Sequence, residues 1–316
     1  MSDDLIGEIV PLDSAPPELS YPGLSPQLLA RVRQLWSAQG LDFDGPWRIA
    51  VRAMPGFRAL PRIDTGTSAQ VDLVFLFDQC VIWLKALNQA ATQGRAQGTA
   101  GPDPAQWQGM TAVSARLIEQ VTALRMLALT NLPMPAMQIA RSISEDVDMM
   151  LALLARRKLA ARFVACRDVE EANEFWRRHI AGGRAFRAVT EKLYDIGLDH
   201  SADTDYARWR QQVLAVLGAA VHSNALTPPE PDRRGLGNDD SLYFSTFRLH
   251  ELCAYAHLIA PDLSDALGRA ADMAAPAGAA DARLAPLAAP LGRVLIQQIR
   301  SLSRPAPRHA GGATRH

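Results

Sequence analysis

The chain has 316 residues, 48% of them hydrophobic and 21% charged, a globular composition that excludes disorder throughout. Basic and acidic residues balance at 33 each, so net charge draws the molecule neither to nucleic acid nor to anionic lipid, and only a local patch could do so. Three scattered cysteines, Cys80, Cys166 and Cys253, exclude a disulfide framework and suit a reducing compartment.

Residues 1–65 are punctuated by Pro16-Pro17, Pro22-Gly23, Gly45-Pro46 and Pro55-Gly56 and read as an irregular amino-terminal arm. Within it Leu28, Leu29, Val32 and Leu35 predict one helix over 25–39, and Ile49 and Val51 suggest a short extended piece over 47–53. From Ser68 the apolar period is helical. A helix over 68–92 ends at a glycine-rich linker. Asp103 then caps a helix that has Pro104 at its first position and runs to about Asn131. Leu132-Pro133 breaks the chain before a strongly amphipathic helix over 133–157. A basic stretch leads to Asp168, which caps the next helix with Glu171 as its capping-box partner, and this helix stops near Gly182-Gly183. Further helices are expected over 184–196, 204–222, 241–260 and 262–273. A polar 227–240 loop separates two of them. An alanine- and proline-rich linker over 274–290 precedes a short amphipathic helix over 291–302, and residues 304–316 read as a disordered tail. The expected fold is all-α: an antiparallel helical bundle over 66–273, flanked by the arm, a linker with its short helix (274–303), and the tail.

The 133–157 helix carries the most informative charges. Arg141, Glu145 and Asp148 lie within about 60° of one another, bordering the apolar face of Ala140, Ile143, Val147, Leu151 and Leu154. An arginine one turn before a glutamate is the weaker order for helix support, so local stabilisation explains the stripe poorly. It is either a polar cluster facing a cleft or a salt-bridge network at the core boundary. His222 closes its helix, where an imidazolium is favoured by the dipole, and reads either as a carboxyl-terminal cap or as a general acid or base. Arg248 lies on an apolar face with Phe244, Leu252, Tyr255 and Ile259, and a buried guanidinium there requires a carboxylate, for which Glu145 and Asp148 are candidates. His250, Cys253 and His257 share a helical face, but residues seven apart are about 10 Å apart along the axis, too far for one tetrahedral ion. Between Arg156 and Arg187, basic residues alternate with Trp176 and Phe186, diluted by Glu170, Glu171 and Glu174. This segment is either a solvated helical face or a single-stranded nucleic-acid surface.

No phosphate-cradling G-x-x-x-x-G-K, no G-x-G-x-x-G and no G-x-S-x-G occurs. The sequence His250-Glu251-Leu252-Cys253-Ala254 has alanine where a zinc protease needs its second histidine, and no Glu-x-x-His is present to build a di-iron bundle. No cofactor and no metal are expected. The acidic opening Met1-Ser2-Asp3-Asp4 and the polar interruptions in the most apolar stretch, 71–87, predict no signal peptide and no membrane span, hence a cytoplasmic protein.

Three features in order, the Arg141-Ser142-Ile143-Ser144-Glu145 helix, the Phe175-Trp176 helix and the helix-ending Ala220-Val221-His222-Ser223, resemble a bacterial all-helical family of uncharacterised function. The resemblance spans about 68–224. That family is distantly similar to the HEPN helical domains, many of which are metal-independent ribonucleases of defence systems with an arginine four to six residues before a histidine. This chain departs from that motif, matching the spacing only at Arg304 and His309 in the tail. What the resemblance implies is therefore carried by Arg141, Glu145 and His222 brought together by folding. Two functions are expected: a regulatory or ligand- or partner-binding module that forms a homodimer or small homo-oligomer, or a metal-independent phosphodiesterase with Arg141 on phosphate, His222 moving a proton and Glu145 orienting one of them.

Overall fold

The computed structural model describes residues 21–45, 47, 68–200, 203–219, 238–272 and 284–299. Among these residues the regular structure is helical, with no strand: α1 Pro26–Ser37, α2 Ser68–Gln97, α3 Pro104–Leu129, α4 Pro133–Ala155, α5 Arg157–Val164, α6 Val169–His179, α7 Arg184–Asp195, α8 Asp205–Ala219, α9 Asn238–Ile259, α10 Leu263–Asp272 and α11 Ala288–Ile299. None of them is long and apolar enough to cross a membrane.

Four long helices, α2, α3, α4 and α9, form the centre. Short turns make hairpins of α2 with α3 and of α3 with α4, and α9 returns from far along the chain to lie against α2 and α4. Local chemistry sets the joints. Asp103 Oδ1 accepts the Gln106 amide at 2.9 Å while Gln106 Oε1 accepts the Asp103 amide at 3.1 Å, completing a capping box at the start of α3. The same Gln106 side chain donates to the Leu153 and Leu154 carbonyls at 3.1 and 2.7 Å, so one residue satisfies the beginning of α3 and the end of α4 together. Between α3 and α4, Asn131 takes a left-handed conformation (φ 58°), which its short polar side chain tolerates, ahead of Leu132-Pro133.

The structure corrects several expectations. Helix α2 runs five residues past the expected end, through Gly94, which lies against the Trp107 ring where a side chain would crowd it. The basic stretch after α4 is itself a helix, α5, set off by the extended backbone of Arg156 (φ −133°, ψ 96°). Asp168 does cap α6, but Glu171 reaches one residue further back, to the Arg167 amide at 2.8 Å. Trp47 sits in a helical turn, with 48–53 outside the described residues. Over 21–45 and at Trp47 the expected arm is instead part of the core: Tyr21, Phe43 and Trp47 are buried and meet Phe75 of α2 edge-on or tilted, while Trp36, also buried, packs edge-on to Phe43 and donates to Gln79 of α2. Aromatic area of this size against α2 outweighs the loop-forming effect of the surrounding prolines and glycines. The last helix begins three residues early, at Ala288, and is seated in the same core through Leu291, Val294 and Leu295.

Candidate functional site

Helix α4 supplies the centre of the most heavily charged buried region. Asp148 accepts from Arg248 Nη2 on α9 at 2.6 Å through Oδ1 and from Arg210 Nη2 on α8 through Oδ2. Arg248 Nη1 bonds Glu251 one turn along α9 and donates to the Tyr206 hydroxyl at 3.1 Å. Glu251 Oε1 in turn accepts from Tyr255 at 3.4 Å, and Tyr255 meets His200 Nε2 at 2.8 Å. Arg248 is 1% exposed, and Phe186, Tyr206, Trp209, Phe244 and Phe247 close over the group, with the Arg210 guanidinium 3.6 Å from the centre of the Phe186 ring. Two guanidiniums meet two carboxylates, so the cluster balances its own charge. Burial pulls the Arg248 guanidinium towards neutrality, but Glu251 and Asp148 outweigh it and hold its pKa above the ordinary arginine value. For Arg210 burial prevails over Asp148 and the value falls; for Glu251 burial prevails over Arg248 and it rises.

A second closed ion pair joins α2 to α3. Asp78 takes a two-pronged contact from Arg125, Nε to Oδ1 at 2.7 Å and Nη2 to Oδ2 at 2.9 Å, and a hydrogen bond from Tyr21 at 2.6 Å. Beside it runs a polar ladder: Trp36 Nε1 donates to Gln79 Oε1 at 3.3 Å, Gln298 Nε2 donates to the same oxygen at 3.2 Å, and Gln298 Oε1 faces His250 Nε2 at 3.2 Å. The Thr246 carbonyl lies 2.7 Å from His250 Nδ1, so both ring nitrogens face acceptors. Burial nonetheless holds the His250 pKa below its usual value.

The residues singled out from sequence separate into distinct places. Asp148 and Arg248 are in the closed cluster, and of the two carboxylates offered to Arg248 the structure places Asp148 against it, not Glu145. Arg141 and Glu145 pair with each other at 3.2 Å on the half-exposed edge of α4. Arg141 Nη1 also donates to the Leu214 carbonyl of α8 at 2.8 Å, across Gly218, where a Cβ would stand 2.9 Å from that nitrogen. Glycine is what lets the guanidinium lie on the end of α8. His222 lies outside the described residues, as do 227–237 of the expected loop, whose last three positions form the first turn of α9. His250, Cys253 and His257 diverge: His250 turns inward to Cys80 (3.5 Å) and Gln298, Cys253 is buried, and His257 is exposed. Among the described residues no three His, Cys, Asp or Glu side chains are grouped to hold a metal.

Sequence reasoning passed over Arg210, Glu251, Asp78 and Arg125. Three had a signal. Arg125 stands on the stripe of Leu117, Val121 and Leu124, Glu251 is at i+3 from Arg248, and Asp78 interrupts the most apolar stretch of the chain, 71–87. Arg210 had none, because it looks like any solvated helical arginine.

An apolar cavity lies among α2, α3, α4, α9, α10 and α11, lined by Trp83, Met110, Met150, Leu252, Leu267 and Ile296 among others. Its volume of about 40 Å³ is room for a few water-sized bodies and far short of a ligand pocket. The exposed charge gathers elsewhere. Residues 156–187, over α5, α6 and the start of α7, carry nine basic side chains against four acidic ones, all exposed, in a chain whose total charge is zero. Comparison with protein-family models, with curated proteins and with solved structures gives no match for this chain.

Proposed function

We propose that this chain is a regulatory, partner-binding helical module that presents a basic face to an anionic partner. The observation that carries this reading is the segregation of charge. The buried arginines are neutralised by Asp148, Glu251 and Asp78, whereas the five excess positive charges of 156–187 all face solvent. Buried, charge-balanced ion pairs fix the register of α2, α3, α4, α8 and α9 and carry no net charge to draw a substrate. Solvent-facing charges of one sign raise the local concentration of a polyanion and speed its approach. Retention on heparin, a generic polyanion, tests the reading. Retention that weakens with salt, and that is lost in Arg157→Glu/Lys158→Glu/Arg162→Glu, is expected; passage through the column at 50 mM salt overturns it.

A second reading, a HEPN-like metal-independent ribonuclease, draws on one observation: the Arg141 guanidinium lies against Gly218 of α8, and Gly218 is four residues before His222 in sequence. Here Arg141 would hold phosphate and His222 move a proton, with Glu145 orienting Arg141. Cleavage of RNA in the presence of a chelator, abolished in His222→Ala at unchanged melting temperature, is its expected outcome; absence of cleavage by the parent protein removes it.

A further inference from the structure

Helix α6 is built unlike the rest of the molecule. Of its eleven residues only Phe175 is buried, 5.6 Å from the Phe163 ring, and the helix is otherwise solvated. On it stands Trp176, 46% exposed, while Trp36, Trp47, Trp83, Trp107 and Trp209, the other five tryptophans of the chain, are all buried. About half of this indole is open to water beside a buried neighbour, which leaves part of a ring face accessible. After α6, Gly182 and Gly183 both take left-handed φ (66° and 75°), turning the chain so that Arg184 Nη1 donates back to the Arg177 and Ala181 carbonyls at 2.8 and 2.9 Å. That turn fixes one arginine beside two others. Arg177, Arg178, Arg184 and Glu174 border an open depression of about 400 Å³, in which Glu174 pairs with Arg178 and leaves two positive charges in excess. His179, at the end of α6, feels the same field: partial burial and then Arg162, Arg178 and Arg184 push its pKa below the ordinary value.

Resting on the binding-module reading, we infer that the α5–α6–α7 lobe holds a single-stranded nucleic acid that crosses the solvated side of α6, opposite Phe175, with Trp176 as the platform for a base at one edge, Arg177 midway, and Arg178 and Arg184 on phosphates at the other edge. A polyanion that also carries flat π faces uses both features at once. An unpaired base can swing onto an exposed indole, whereas a base within a duplex cannot. An anionic bilayer fits less well, because Glu170, Glu171 and Glu174 share α6 with the arginines, and Val169 and Trp176 are the large apolar side chains that this helix exposes.

The experiment uses the full chain, a fluorescein-labelled dT20 and an unlabelled U20 competitor, with phosphatidylserine/phosphatidylcholine vesicles in a parallel sedimentation assay. Binding of dT20 with a linear fall of log affinity against log salt is expected. Arg177→Glu/Arg178→Glu should lower affinity at least tenfold and flatten the salt slope by about one to two. Trp176→Ala should lower affinity about fivefold to a hundredfold at unchanged slope, with Trp176→Phe keeping most of it. Near-UV circular dichroism should show every variant folded, since none of these side chains is in the core. Heparin retention with dT20 binding unaffected by Trp176→Ala would overturn the base-stacking site and leave the binding module standing. Sedimentation with vesicles and no dT20 binding would replace nucleic acid by a lipid surface. No binding to dT20, heparin or vesicles would overturn both the inference and the reading beneath it.

Discussion

The closed cluster around Arg248 and the open lobe around Trp176 are made of the same residue types, arginines beside carboxylates and aromatics, and put them to opposite uses. In the first, Phe186, Trp209, Phe244 and Phe247 exclude water, so each guanidinium must find its carboxylate within the protein and Coulomb attraction acts across a low dielectric. In the second, the aromatic is itself exposed and the nearby ion pair, Arg178 with Glu174, is solvated on both sides. Charge under aromatics is framework; charge beside an uncovered aromatic stays in solvent.

The strongest way to break the comparison is to leave the closed cluster unbalanced. Asp148→Asn strands Arg210 and Arg248 without their shared carboxylate, and about 3–5 kcal/mol of unfolding free energy should be lost in urea titrations, with part of it recovered in Asp148→Asn/Arg248→Met. Asp78→Asn, which strands Arg125 alone, should cost about 3 kcal/mol by the same measurement. Gln106→Ala removes the capping partner of α3 and both bonds to the end of α4, and about 2 kcal/mol is expected to go, read as a lower melting temperature.

Asp146 sharpens the boundary between the two regimes. It is buried next to Gln120 (2.8 Å) and Arg116 (2.9 Å), but Arg116 is itself largely solvated, so burial prevails and raises the carboxyl to about 6. The folded state then holds the proton more tightly than the unfolded chain. The resulting stabilisation is complete below about pH 4 and is lost as pH rises through 6, a change of about 1–3 kcal/mol. Urea midpoints of the parent at pH 4.5, 5.5 and 7 should carry this slope, and those of Asp146→Asn should lack it. The smallest effect belongs to the lobe: Trp176→Ala should change unfolding free energy by less than about 0.5 kcal/mol, since surface substitutions away from packed features rarely do more.

Most of the helices were legible because apolar period and capping chemistry are properties of neighbouring residues: Asp103-Pro104 announces α3 and Asp168 announces α6 wherever the chain folds. The site was legible only in part. Arg141 and Asp148 differ by about 20° around α4, so the sequence gives them one face. In the structure Arg141 is half-exposed at the end of α8 while Asp148 is closed in by α7, α8 and α9. Helical phase repeats along an axis, but the neighbours that cover the helix do not. The proline- and glycine-rich opening was misjudged for a related reason: its prolines report local backbone, whereas Tyr21, Trp36 and Trp47 report a partner surface on α2 more than twenty residues away.

What the sequence by itself determined is most of the helices and the capped starts of α3 and α6, that Arg248 needs a carboxylate, and that positive charge concentrates between Arg156 and Arg187. Those follow from interactions within a few residues or from the cost of burying an unpaired ion. Which carboxylate answers Arg248, which arginines are closed in and which tryptophan is left in water were decided by tertiary structure, because burial depends on surfaces brought together from distant parts of the chain.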